Sequence, residues 1–246
     1  MGLAKSIKKR INYLKVQFDS QTGFYYYRRF GNPIYIRHPK HFLPTDEQVW
    51  LCQRIFFHYY TPQDNDFVLD LGAGYSEEAN YLAQLNLKNF HYLGVEGQPV
   101  IYECLANSLY QLGASFRCSP YVISNEPVFF KSQFSYFSVG SDDQAYIEIP
   151  TLKWHEFIDH YRIQKIDLFK MNIEGAEKNI LKNITDFSMI KRFIISCHDF
   201  RANCGEGEHY RSKEVVLEIL KKNNYQIKTF NYQIPWADDW IYAEQK

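Results

Sequence analysis

Short apolar runs alternate with amphipathic segments along most of this chain. From Phe67 onward the pattern predicts strand 67–71, helix 76–86, strand 90–95, helix 99–112 and strand 116–123. An aromatic insert at 126–149 interrupts the rhythm. It resumes with a helix from Thr151, strand 165–171, helix 175–183, strand 192–197, helix 212–223, and strands 225–231 and 239–244. Alternating β and α segments imply a largely parallel sheet with helices on both faces. The last two strands are joined by a loop, Gln233 to Asp238, with no helix, so one of them should run antiparallel. The expected fold class is α/β, an open doubly wound sheet of six or seven strands, mostly parallel with one reversed. In such sheets ligands bind beyond the carboxyl ends of the strands.

The first 44 residues have a different texture and read as an N-terminal extension to a main domain over 45–246. Leu3, Ile7, Ile11, Leu14 and Phe18 recur at helical spacing and predict a helix over 3–18. Residues 23–38 read as two strands about Gly31-Asn32-Pro33. Thr45 with Gln48 three positions later matches a capping box, opening a helix over 46–60 that Pro62 stops.

Composition narrows the class. Of 246 residues, 46% are hydrophobic and 23% charged, which excludes a disordered or collagen-like chain. No apolar run approaches the ~20 residues of a membrane span, and no signal sequence opens the chain, so a cytoplasmic protein is expected. The five cysteines form no CxxC pair, which argues against a zinc ribbon and for reduced thiols. Net charge is zero but unevenly placed: residues 1–40 hold nine Lys/Arg against Asp19, so they carry +8 and the remainder −8. Without a global basic excess, nucleic-acid binding is not expected.

Four strand ends carry the candidate chemistry. The first reads Asp70-Leu71-Gly72-Ala73-Gly74-Tyr75-Ser76-Glu77-Glu78. A dinucleotide fingerprint needs glycine where Glu77 stands, and two carboxylates at a helix start repel a pyrophosphate. The second ends in Glu96, 22 residues past Gly74, a spacing suited to gripping a ribose diol. Asp70, Glu96 and Glu174 together suggest an acid-rimmed, phosphate-free crevice. That suits a nucleoside bearing positive charge, as S-adenosylmethionine does. The third strand runs into Asn172-Ile173-Glu174-Gly175, whose polar groups face a substrate or cap the following helix. The fourth ends in Cys197-His198-Asp199. His198 could take the proton of a substrate hydroxyl, and Asp199 could orient it or face solvent.

These four blocks together resemble the FkbM-type family of S-adenosylmethionine-dependent methyltransferases over about residues 45–200. VLDLGAGYSEEA looks like the family's glycine motif and YLGVEGQPVIYECLANSL like its ribose strand, with Gly97 where proline is usual. IDLFKMNIEGAEKNIL is the most specific block; Asn172 stands where the family has aspartate. In IISCHDF, Ser196 replaces a usual glutamate and His198 is kept. The resemblance implies the class I methyltransferase fold, strand order 3-2-1-4-5-7-6, and methylation of a hydroxyl on a sugar or secondary metabolite. It implies cofactor contacts at Asp70, Gly72, Gly74 and Glu96, to which we add Tyr75, Gly97, Ser124 and Asn172 at adjoining turns. It also implies Glu174 and His198 facing the substrate, with Asn172 and Asp199 as further catalytic candidates. No metal is expected, because Asn172 and Ser196 each remove an oxygen-anion ligand. The expected partner is a small-molecule or glycan acceptor, with neither nucleic acid nor integral membrane. The basic, aromatic segment at Tyr25–Arg29 either covers the site or forms a homodimer surface. Rival readings are an NAD(P)-dependent Rossmann oxidoreductase and a catalytically silent S-adenosylmethionine-binding module.

Overall fold

The computed structural model describes residues 14–131 and 146–246. In chain order it contains strands β1 (Gln17–Asp19), β2 (Phe24–Arg29) and β3 (Asn32–Ile36), then helix α1 (Thr45–Leu51). Strand β4 (Phe67–Leu71), helix α2 (Glu77–Ala83), strand β5 (His91–Val95), helix α3 (Pro99–Leu112) and strands β6 (Phe116–Ser119), β7 (Val122–Ile123) and β8 (Val128–Lys131) follow. After them come β9 (Tyr146–Ile149), β10 (Thr151–Leu152), α4 (Trp154–Tyr161), β11 (Leu168–Met171), α5 (Glu177–Asn183) and β12 (Arg192–Ser196). The chain continues with α6 (Asp199–Asn203), α7 (Lys213–Lys222), β13 (Tyr225–Thr229), α8 (Pro235–Asp238) and β14 (Trp240–Gln245).

Seven strands form one sheet in the order β13-β14-β12-β11-β4-β5-β6. All pairs are parallel except those of β14, which runs antiparallel to both β12 and β13. This is the order 3-2-1-4-5-7-6, and the chain has the class I methyltransferase fold. Alternate residues of each strand feed two cores. Leu69, Leu71, Phe169, Met171, Phe193 and Ile195 pack beneath α4, α5 and α7. Val68, Tyr92, Leu168, Ile194 and Tyr242 pack beneath α1, α2 and α3. Strands covered on both faces read as continuous apolar runs, which is why the sequence pattern finds them.

One residue breaks the apolar run of β11. Lys170 is 2% exposed, and its Nζ lies 2.7 Å from Asp70 Oδ1 and 3.0 Å from Glu78 Oε1. Tyr92 donates to the other Asp70 oxygen at 2.6 Å. Lys170 and Asp70 are direct register partners across β11 and β4. The two carboxylates favour the charged ammonium strongly enough to outweigh burial, and hold the Lys170 pKa above its ordinary value.

The N-terminal segment departs from expectation. The predicted helix over 3–18 falls outside the described residues up to position 13; beyond it Leu14 and Lys15 form a turn and Gln17–Asp19 a strand. Strands β1, β2 and β3 make an antiparallel sheet, and β3 docks on α3: the Tyr35 N–H donates to buried Ser108 Oγ at 2.9 Å. Around that bond Tyr27, Ile34, Ile36, Tyr75, Ile101 and Cys104 form a third core. The capping box is absent. Thr45 lies inside α1 after Pro44, and its hydroxyl accepts from Arg29. Gln48 accepts from Arg29 Nε at 2.9 Å and donates to the Glu77 carbonyl at 2.7 Å. Both polar side chains serve tertiary contacts instead. The helix from Thr45 loosens into a π-helical turn at Cys52–Phe56, short of residue 60. Strand 116–123 is two strands, because Pro120 has no N–H for a ladder; β7 pairs with β10 outside the main sheet. Thr151 opens β10, and the helix begins at Trp154.

Lys170→Ala leaves Asp70 and Glu78 buried without a counter-charge. We predict a loss of about 3–5 kcal/mol in urea unfolding. An unchanged denaturation midpoint would show that the cluster does not hold the strands together.

Candidate active site

A cavity of about 350 Å³ lies beyond the carboxyl ends of β4, β5 and β11. Gly72, Gly74 and Tyr75 line it from the first turn, Glu96 and Gly97 from the second, and Asn172 and Glu174 from the third. Val122, Ser124 and Val128 add a further wall, and Asn179 and Asn183 of α5 also line the cavity. Among the described residues no Lys, Arg or His lines it. A more open hollow of about 450 Å³ shares Ser124 but contains none of the glycine turns.

The first and third turns meet backbone to backbone. Gly72 has φ +77°, and a Cβ built there would lie 2.0 Å from the Asn172 carbonyl oxygen. Only glycine tolerates both the left-handed conformation and that approach. The crossing is tied by Asn172 N–H to the Leu71 carbonyl at 2.9 Å and by Gly72 N–H to the Val95 carbonyl at 2.9 Å.

Glu96 is fixed from both sides. Its Oε2 accepts from the Gly74 N–H at 3.2 Å and its Oε1 from the Gln98 N–H at 2.8 Å. Burial raises its pKa, the two N–H donors only partly offset this, and the group titrates at about 7. Lone pairs remain on both oxygens toward the cavity. Glu77, at the start of α2, is likewise pushed to about 7 by burial and by the Glu78 charge.

Glu174 has φ +57° and projects into the cavity while its carboxylate pairs with the Arg201 guanidinium. Behind it stands His198, 4% exposed, with Nε2 3.8 Å from Glu174 Oε1 and 3.5 Å from Ser196 Oγ. His198 Nδ1 lies 3.0 Å from Oε1 of Glu177, which is fully buried at the start of α5. Burial alone would lower the His198 pKa; Glu177, and then Glu174, reverse this and raise it above the ordinary value.

Three expected site residues stand outside the cavity lining. Asp70 is fully buried against Lys170 and Tyr92 and is not part of the cavity lining. It braces the glycine turn from behind. His198 does not line the cavity either; it reaches the space through Glu174. Asp199 does not orient His198. Its Oδ1 accepts from the N–H groups of Ser212 and Lys213 at 2.8 and 2.9 Å, so it caps α7. Glu177, absent from the sequence reading, is the carboxylate beside His198. The available signal was its place at the first position of the helix that follows the Glu174 turn. Arg201 and Asn179 were also missed.

Residues 65–227 match the model of the family described as "Methyltransferase FkbM domain". No curated protein matches the chain in sequence. Among solved structures, the methyltransferase FkbM from Methylobacillus flagellatus KT is similar at a TM-score of 0.50 and 16% identity. That match covers 78% of this chain and 47% of the other, so this chain spans about half the length of that protein. A Staphylococcus aureus protein assigned provisionally as a caffeoyl-CoA O-methyltransferase also matches at 0.50, with 12% identity and 83% and 84% of the two chains covered. These likenesses establish the shared fold.

A carboxyl group with a raised folded-state pKa favours the fold below its unfolded value, 4.5 for Glu96, and loses that contribution as pH rises to about 7. We therefore predict that Glu96→Gln becomes more stable relative to the parent chain as pH climbs from 4.5 to 8. Parallel urea-midpoint profiles for the two proteins would contradict this.

Proposed function

The chain belongs to the FkbM methyltransferase family, and from that premise we propose that it moves a methyl group from S-adenosylmethionine to a hydroxyl of a small-molecule or glycan acceptor. The observation that carries this reading is Glu96, a carboxylate held by two backbone N–H groups beside Gly74, in a cavity that no basic side chain lines among the described residues. S-adenosylmethionine is the cofactor of the family, and this donor set fits it. A ribose diol can donate to Glu96, the open face of Gly74 leaves room, and the lining carboxylates Glu96 and Glu174 disfavour a phosphate group beside them.

When bound, S-adenosylmethionine supplies a methyl group that is already electrophilic, so positioning does most of the work. Gly72, Gly74, Tyr75, Glu96, Gly97 and Ser124 would hold it. The acceptor hydroxyl has to lose its proton as its oxygen gains carbon. Glu174 is the carboxylate that faces this space, and Asn172 can donate to or accept from the same hydroxyl. Arg201 and His198 keep Glu174 aimed, and Glu177 keeps the imidazole beside it. His198 therefore acts as a positioning residue, with a carboxylate on each side.

Isothermal titration calorimetry with S-adenosylmethionine and S-adenosylhomocysteine tests the cofactor half. Affinity should strengthen as pH rises toward about 7 and Glu96 ionises, and Glu96→Ala should weaken it by about 1–3 kcal/mol. Equal binding by Glu96→Ala would remove Glu96 from the site. A labelled-methyl assay over a saccharide panel tests the acceptor half. There Glu174→Gln and His198→Ala should lower kcat with cofactor affinity nearly unchanged. Loss of cofactor binding in His198→Ala would refute its assignment behind the acceptor.

A further inference from the structure

The loop that follows β3 carries four basic side chains in five residues, Arg37, His38, Lys40 and His41. Its position is fixed by the fold. The third core joins β3 to Tyr75 and Ile101, and both of these residues also line the cavity. The His41 ring packs against Tyr75 at 5.2 Å between centroids. The turn over Pro39–His41 is preformed, with the Lys40 N–H donating to His38 Nδ1 at 3.1 Å and Phe42 N–H to the Pro39 carbonyl at 3.1 Å.

Charge separates this loop from the cavity beside it. The cavity holds Glu96 and Glu174 and, among the described residues, no lining cation, whereas the loop adds Arg37 and Lys40 on either side of His38 and next to the His41 ring that packs on Tyr75. His41 registers that field: burial, then Lys40, His38 and Arg37, lower its pKa below the ordinary value. Nearby acids limit the patch. Glu103 of α3 shares the surroundings of Cys104 with Arg37, and exposed Asp46 and Glu47 follow within a few residues. Lys15 stands 6.0 Å from the centre of the neighbouring Phe42 ring, and the patch formed by the described residues suits a single anionic group.

We propose that the Arg37–His41 loop is a subsite for a carboxylate or phosphate group on the methyl acceptor, held outside the acidic cavity while the acceptor's hydroxyl enters past Tyr75. This rests on the methyltransferase reading above, and it narrows the acceptor class to oxyanion-bearing molecules. It also gives the N-terminal sheet a role in choosing the substrate.

The test follows the His41 ring signals by NMR in the full-length protein saturated with S-adenosylhomocysteine at low ionic strength. Inorganic phosphate and glucuronate are titrated separately, with glucose as the neutral control and exposed His91 as the internal reference. At least one anion should shift His41 saturably, and the arm that saturates at lower concentration identifies phosphate or carboxylate as the preferred group. Lys40→Glu, a change at an exposed side chain, should weaken that binding at least fivefold without altering S-adenosylhomocysteine affinity. Shifts equal at His41 and His91, no saturation by either anion, or a Lys40→Glu variant that binds as before would each overturn the proposal. So would a short single-stranded RNA that shifts His41 more tightly than both anions. If S-adenosylhomocysteine itself fails to bind, the cofactor reading falls, and the anion titration is still decisive for the loop in the ligand-free protein.

Discussion

Lys170 sits inside the sheet between two carboxylates, and the geometry of the cavity depends on that contact. An ammonium at this depth is tolerable only with its charge matched, and Asp70 and Glu78 supply the match from β4 and α2. The same contact fixes three elements relative to one another. The turn after β4 carries Gly72 and Gly74, the turn after β11 carries Asn172 and Glu174, and α2 begins just beyond the first turn. The Lys170 ammonium also lies 5.3 Å from the centre of the Phe56 ring, which ties the π-helical turn over Cys52–Phe56 to the cluster. A single residue opposite Asp70 thus sets the spacing of the walls between which a ligand must fit.

The carboxylates of the molecule divide by what surrounds them. Asp70 and Glu78 share one internal cation, Lys170, and belong to the scaffold. Glu96 is held by backbone N–H groups, with no cation lining its cavity among the described residues, so it keeps hydrogen-bonding capacity for a ligand. Glu174 is intermediate, paired with Arg201 yet part of the cavity wall. Glu177 is buried with His198 at one oxygen and the Ile173 N–H donating to it at 3.0 Å. Residue type alone would not separate these five acids; their neighbours do.

Much of the sheet is legible in the sequence, because buried parallel strands run apolar and their lengths are set by the flanking turns. Boundaries fail where local chemistry is borrowed for long-range contacts. Thr45 and Gln48 have the spacing of a cap, but Arg29, far back in β2, claims both side chains. Pro120 divides a run that periodicity joins. At the site, the strand-end rule locates Gly72, Glu96, Asn172 and Glu174, since each follows an apolar run directly. It cannot say that Asp70 turns inward, because the partner that draws it in lies 100 residues later. Nor can it separate His198 from Asp199. The left-handed backbone at His198, φ +57°, sends the two neighbours to different tasks, one toward Glu177 and the other toward the start of α7.

The meeting of Gly72 with the Asn172 carbonyl has a mechanical meaning. Two backbones in contact leave no side chain between them to compress or rotate, so that margin of the cavity is incompressible. A gape that admits or releases a ligand is easier at a margin held by fewer contacts. One such margin is β7, whose Val122 and Ile123 line the cavity: it shares just two residue pairs with β10, and their ladder stands apart from the main sheet.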